Sequence, residues 1–178
     1  MRLTQGSERY RATVADDGQR PLLFLDVDGP LLPFGGSTQH GSEIAGVPHL
    51  ARLRLGVGPR LAGLPCTLVW ATAWLEDANT EIAPWLGLPD LPVVTWPEPD
   101  GATEREDQWL GLCWKTRTVV AWAAGRPFAW VDDEITDADR DWVSAHHRGD
   151  ALLRSVDASI GLTDQDLTAP DAWLRGLR

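Results

Sequence analysis

Short, almost wholly apolar runs alternate along this chain with segments whose apolar residues recur every three or four positions. Pro21-Leu-Leu-Phe-Leu-Asp-Val27 runs into Asp28-Gly29-Pro30, the pattern of a strand buried on both faces that ends in a turn. Runs of the same kind cover 67–72, 91–96, 127–131 and 151–156. Between them, Trp74 to Leu86 carries Ala78, Ile82, Trp85 and Leu86 at helical spacing and stops at Gly87 and Pro89. Lys115 to Ala124 repeats the pattern with Val119, Val120, Trp122 and Ala123, ending at Gly125. Thr136 suits the N-cap of a helix over 137–146, since Asp137 and Asp139 in its first turn favour the positive end of the helix dipole. Thr163-Asp-Gln-Asp166 opens a last helix in the same way, and Pro170 is expected to break or restart it.

Strands alternating with helices of this length predict an α/β fold, a doubly wound parallel sheet with helices on both faces. Residues 1–178 read as one domain with a core over about 21–156. The stretch from Leu31 to Pro65 departs from the alternation. There Leu53, Leu55 and Val57 alternate with Arg52, Arg54 and Gly56 at period two, which predicts a strand or β-hairpin led in by Gly35-Gly36-Ser37. It is either a flap over the C-terminal edge of the sheet or a packed edge strand.

Composition narrows the class without naming a function. At 43% hydrophobic and 24% charged, the 178 residues suit a globular domain with its own core. The longest apolar stretches, such as Thr67 to Trp74, fall well short of the roughly 20 residues of a membrane span, and no signal-like run opens the chain, so a cytoplasmic protein is expected. Cys66 and Cys113 stand outside any CxxC spacing, which excludes a disulfide framework and a thiolate zinc site and predicts reduced, buried thiols. The net charge is −10, so composition shows no basic footprint for nucleic acid, although Arg52, Arg54 and Arg60 are candidates for a local patch on the flap. The ten Trp stand mostly in apolar segments, where packing is the ordinary role.

In open parallel sheets ligands bind beyond the carboxyl ends of the strands. The first run ends in Asp26-Val27-Asp28, the second in Thr72 and the fourth in Asp132-Asp133, while Lys115 opens a helix. A parallel sheet would deliver four carboxylates and a hydroxyl to one rim, where their mutual repulsion calls for a cation. All-oxygen ligation suits Mg²⁺ used together with a phosphate group. Lys115 would add a point charge, and Thr72 a hydroxyl, to the same phosphate oxygens. Asp26 could then attack phosphorus to give an aspartyl-phosphate, and Asp28 could serve as general acid and base.

Leu22-Leu-Phe-Leu-Asp-Val-Asp-Gly29, Thr72 after an apolar strand, Lys115 at a helix start and Trp130-Val-Asp-Asp133 resemble, in order, the four motifs of the haloacid dehalogenase (HAD) superfamily. The resemblance implies a HAD-type Rossmannoid fold, a phosphatase with Asp26 as nucleophile and Asp28 as general acid/base, and Mg²⁺ as cofactor. It implies metal held by the Asp26 carboxylate, the Asp28 carbonyl and an acidic residue of the fourth motif, Asp133 by position with Asp132 beside it. The second Asp of the first motif, Asp28, points within that superfamily to phosphatases and mutases. Pro30 departs from the usual Thr or Val, and Asp137 offers a second spacing for the fourth motif. The 46 residues from Asp26 to Thr72 and the 43 from there to Lys115 leave no room for a large cap. Trp70-Ala-Thr-Ala-Trp74 with Ala78-Asn79, and Val131-Asp-Asp-Glu134, also resemble the HAD domain of bacterial RNA-repair proteins, which implies phosphorylated nucleic-acid ends as one substrate class. Nucleotides, sugar phosphates and phosphoproteins remain the other candidates, and a non-catalytic phosphate-binding module is the rival class.

The same residues have plainer readings. Asp-x-Asp after a strand forms Asx turns, and Thr72 can cap a helix. Glu134, Asp137, Asp139 and Asp141 read as a solvated helix start, and His146-His147 as partners of a helix C-terminus. His40 and His49 fall in the flap region, Trp74 reads as packing and Asn79 as a polar helix residue.

Overall fold

The computed structural model describes residues 20–35, 47–98 and 100–177. Four strands, β1 (Leu22–Leu25), β2 (Thr67–Trp70), β3 (Phe128–Asp132) and β4 (Ala151–Ser155), form one parallel sheet in the order β2-β1-β3-β4. Leu22 lies level with Thr67 on one side and Phe128 on the other, so β1 is central and its end meets the end of β3. Because successive side chains point to opposite faces, each strand feeds two cores. Leu23, Leu25, Leu68, Trp70, Ala129 and Val131 enter one, and Leu22, Phe24, Val69, Phe128 and Trp130 enter the other. Burial on both faces explains why these runs are continuously apolar.

Among the described residues, six α-helices accompany the sheet: α1 (Gly58–Ala62), α2 (Ala83–Leu86), α3 (Gly101–Leu110), α4 (Thr116–Ala123), α5 (Asp137–His146) and α6 (Asp164–Gly176). Val119 and Ala123 of α4 and Val143 of α5 pack on the Phe24 face, while Leu61 of α1, Leu86 of α2 and Leu167 and Leu174 of α6 pack on the other. The sheet is therefore covered on both faces. Thr136 and Thr163 cap α5 and α6 in full capping boxes with Asp139 and Asp166.

The structure differs from the sequence reading in five places. The alternation at 52–57 does not form a strand: the chain makes 3₁₀ turns over Pro48–Leu50 and Leu55–Val57 and enters α1. Leu53 and Val57 are both buried in the same core, so their spacing reflects compact turns anchored at two points; Leu53 N–H donates to the Leu50 carbonyl and Arg54 N–H to that of Leu31. Gly36, Ser37 and His40 of the expected flap lie outside the described residues. The run at 91–96 contributes a single parallel bridge, Trp70 to Val93, because Pro92 has no N–H to continue a ladder. The helix expected over 74–86 is a turn, a π-helical stretch over Ala78–Ile82 and α2. Pro84 cannot donate to the preceding turn, and Ala83 N–H bonds the Ala78 carbonyl five residues back. Pro170 stands inside α6 without ending it, its ring buried, which offsets the lost backbone bond. Finally, α3 carries no buried residue and so had no apolar period to announce it.

Candidate active site

At the C-terminal ends of β1 and β3, the point where the chain order reverses across the sheet, three carboxylates converge. Asp26 follows β1 directly, and its N–H donates to the Val131 carbonyl at 3.1 Å. Its Oδ1 accepts the Val27 N–H at 2.7 Å and its Oδ2 accepts Lys115 Nζ at 2.6 Å. The same ammonium donates to Asp132 Oδ2 at 2.8 Å and stands 3.5 Å from Glu134 Oε2. Lys115 is 2% exposed and Asp132 fully buried, so this bridge is shielded from water. Asp132 also accepts the Glu134 N–H at 3.0 Å and the Trp130 indole N–H at 3.2 Å.

Asp133 is half-buried and leans over the turn after Asp28. Gly29 has φ +82°, and a Cβ there would fall 2.4 Å from the Asp133 carboxyl carbon. A glycine is needed at this position both for the backbone angle and for the space that Asp133 fills. Oxygens of Asp26, Asp132 and Asp133 all lie within 4.8 Å of one another.

The electrostatics follow from this crowding. Burial, joined by the Asp132 charge, pushes Asp26 up to about 7 against the pull of Lys115. Burial likewise raises Asp132 despite Lys115, and burial and the Asp132 charge raise Asp133. Burial alone would lower Lys115, but the charges of Asp26 and Asp132 outweigh it and hold its pKa above the ordinary value. Three ionised carboxylates against one ammonium leave a charge of −2, which a divalent cation would cancel. The donor set, oxygen throughout, fits a hard ion such as Mg²⁺.

The structure brings the other sequence candidates into the same neighbourhood. Asp28 Oδ2 accepts the Trp74 indole N–H at 2.9 Å. Thr72, fully buried beyond β2, accepts the Trp74 backbone N–H on its hydroxyl at 3.3 Å, which leaves the hydroxyl proton available to a ligand. Asp137 does not join them; its side chain is fully solvated, 3.6 Å from Arg140.

Several residues had a role that the sequence reading missed. Asp139, expected in solvent, is fully buried: it accepts the Cys113 N–H at 2.9 Å and the Thr116 hydroxyl at 2.5 Å, pinning both flanks of Lys115 to the start of α5. Its only sequence signal is the Thr136-x-x-Asp139 capping spacing. Tryptophans expected only to pack also aim indole N–H groups at the site: Trp74 at Asp28, Trp130 at Asp132, Trp96 at the Thr72 carbonyl (3.0 Å) and Trp114 at Glu134 (3.2 Å). Asn79 is a clamp. It accepts from the Trp70 indole and the Leu91 N–H and donates to the Leu91 carbonyl, tying the π-helical stretch to the edge segment.

The remaining candidates are engaged elsewhere. Arg52 donates to the Phe34 carbonyl and Arg54 to that of Ile160, while Arg60 pairs with Asp164 at 3.3 Å, so the arginines brace loops and do not form a common patch. His49 stacks on Trp74 with ring centroids 6.3 Å apart. His146 stacks on Trp142, and His147 bonds the Arg126 carbonyl. Cys66 and Cys113 are free and buried, and burial pushes both thiols up to about 12, out of the reactive range.

A parallel sheet in this order, with an Asp-x-Asp turn after its central strand and a lysine bridged to the carboxylate of the next strand, defines a HAD-type α/β domain. Residues 22–167 match the family model described as the HAD domain in Swiss Army Knife RNA repair proteins, and the chain belongs to that family. No curated protein and no solved structure matches it significantly. Among the described residues, no helix is long and apolar enough to cross a membrane.

Proposed function

We propose that this chain is a Mg²⁺-dependent phosphomonoester hydrolase that works through an aspartyl-phosphate on Asp26. The observation that carries the reading is the buried Lys115 ammonium held between Asp26 and Asp132 at the sheet's switch point. This geometry keeps Asp26 oriented and partly neutralised without consuming the oxygen that accepts Val27 N–H. The metal, held by Asp26, Asp133, Asp132 and the Asp28 carbonyl, would supply charge neutralisation to the phosphate and to the crowded carboxylates.

In the proposed reaction an Asp26 oxygen attacks phosphorus while Lys115 and the Thr72 hydroxyl hold phosphate oxygens. Asp28 gives a proton to the leaving oxygen, and the same carboxylate then takes one from the water that cleaves the acyl phosphate. Asp133 is the stronger candidate for the outer ligand, since the oxygens of Asp132 already accept from Lys115, Trp130 and Glu134. Buried free thiols fit a reducing, cytoplasmic setting. The family's association with RNA repair favours phosphorylated nucleic-acid ends as the substrate class.

The test is phosphate release from an aryl phosphate and from 3′- and 5′-phosphorylated oligonucleotides, with and without Mg²⁺, beside Asp26→Asn. Metal-dependent release that disappears in the variant is expected. Wild-type turnover by Asp26→Asn would sink the mechanism, and silence from folded, Mg²⁺-binding protein would favour a binding module.

A further inference from the structure

Beside the proposed reaction centre lies an open groove of about 780 Å³, between the segment around Trp96, α3 and the turn over 111–115. It reaches the centre through two residues. Trp114 directly precedes Lys115, whose Nζ lies 5.4 Å from the Trp114 ring, and Glu134 contributes to both the groove and the Lys115 cluster.

The lining is aromatic below and acidic around. Trp96 and Trp114 meet edge to face, with centroids 4.7 Å apart, and Trp114 keeps 47% of its surface exposed. Both indole N–H groups already donate to protein oxygens, so what these rings offer a ligand is their faces. Glu98, Asp100 and Glu104 line the same space. Arg117 is the basic residue of the described lining; its Nε donates to Asp107 at 2.5 Å, and its Nη2 lies 3.1 Å from Glu106 without making a hydrogen bond. The groove thus presents a net negative wall around a stacking surface.

We propose that this groove binds the nucleoside of a terminal nucleotide, its base stacked on Trp114 and its exocyclic amine turned to the carboxylate wall, while its phosphate lies at Asp26. The proposal deepens the phosphatase reading and, in its catalytic part, rests on it. An indole face binds a planar base whatever its sequence. Carboxylates accept from the amines of cytosine, adenine and guanine, which uracil lacks. A second phosphate in the groove would meet the acidic wall unscreened, so the site favours a nucleoside bearing one phosphate, with any remaining chain directed to solvent.

The test has a catalytic and an equilibrium arm, both on the full chain with Mg²⁺. In the first, kcat/KM is compared for cytidine, adenosine and uridine 3′- and 5′-monophosphates, cytidine diphosphate, ribose 5-phosphate and choline phosphate, with wild type, Trp114→Leu and Glu104→Gln. Cytidine and adenosine monophosphates should exceed ribose 5-phosphate by about tenfold or more, the size of a base–aromatic stack. Uridine should fall between them, and Trp114→Leu should collapse the ratio. Equal rates with and without a base, a preference for choline phosphate, or a ratio that survives Trp114→Leu would overturn the proposal. In the second arm, phosphate-free cytidine is titrated calorimetrically. Saturable binding that Trp114→Leu removes supports the groove even if no ester is hydrolysed, in which case only the phosphatase reading fails. Absence of cytidine binding overturns the groove whatever the esters show.

Discussion

The indole N–H of Trp74 donates to the Asp28 carboxylate across 2.9 Å, although the two residues are 46 apart in sequence. Trp74 follows β2 and Asp28 follows β1, so the contact joins two neighbouring strand ends. It fixes which way the carboxylate faces, and the residue's own backbone N–H is held by Thr72. Trp74 is therefore a positioning residue for the proposed acid and base.

Trp74→Phe keeps most of the ring and removes the donor. A hydrogen bond to a charged group contributes about 1.5–3 kcal/mol, so kcat for an aryl phosphate should fall about tenfold or more. An unchanged kcat in a folded variant would remove Trp74 from this role.

Lys115→Met leaves Asp26 and Asp132 facing each other in a site closed to water. Breaking a buried pair by removing one partner costs about 3–5 kcal/mol. Urea unfolding at pH 8 should show a loss of that order, and a smaller one at pH 5, where Asp26 with its pKa of about 7 binds a proton. Equal losses at both pH values would contradict the charge pairing of Lys115 with Asp26.

The raised Asp26 pKa makes stability depend on pH in a stated direction. Unfolded, the group returns from about 7 to its ordinary value of 3.8. Between those values the native chain holds more protons, so this group makes stability fall as pH rises through about 7. The thermal midpoint without divalent metal should fall between pH 5 and 8 by more in wild type than in Asp26→Asn. If the proposed site holds Mg²⁺, the ion would compete with the proton for the same oxygens, and its stabilising increment should be larger at pH 8. An increment equal at both pH values would count against the carboxylate site.

Asp139 and Asp137 sit two residues apart and should differ sharply. Asp139→Ala strands the buried Cys113 N–H and Thr116 hydroxyl, at a cost of about 2–4 kcal/mol, and loosens the turn that presents Lys115. Asp137→Ala removes a fully solvated side chain and should change stability far less. Chemical denaturation of both variants checks the contrast; comparable effects would mean that Asp139 does not brace the Lys115 turn.

The sheet, and the identity of the polar residues at its rim, were legible in the chain. Strands buried on both faces must be apolar runs, so β1, β2 and β3 announce themselves, and the polar residues that close them, Asp26, Asp28, Thr72 and Asp132-Asp133, stand where a parallel sheet puts ligands. Capping chemistry is equally local, which is why Thr136 and Thr163 were readable as helix starts. What depends on neighbours distant in sequence could not be read in this way. Leu53, Leu55 and Val57 alternate like a strand, yet they pack as turns because anchoring at Leu31 and Leu50 overrides so short a period-two alternation. α3 was invisible because a helix with no buried face has no period to read. Asp139 and Asp137 are chemically identical, and only the approach of the Cys113–Thr116 turn makes one a buried brace and leaves the other in water. The tryptophans carry the same lesson. An indole is apolar enough to look like core, but the direction of its single N–H, toward Asp28, Asp132, Thr72 or Glu134, exists only once the strand ends have been brought together.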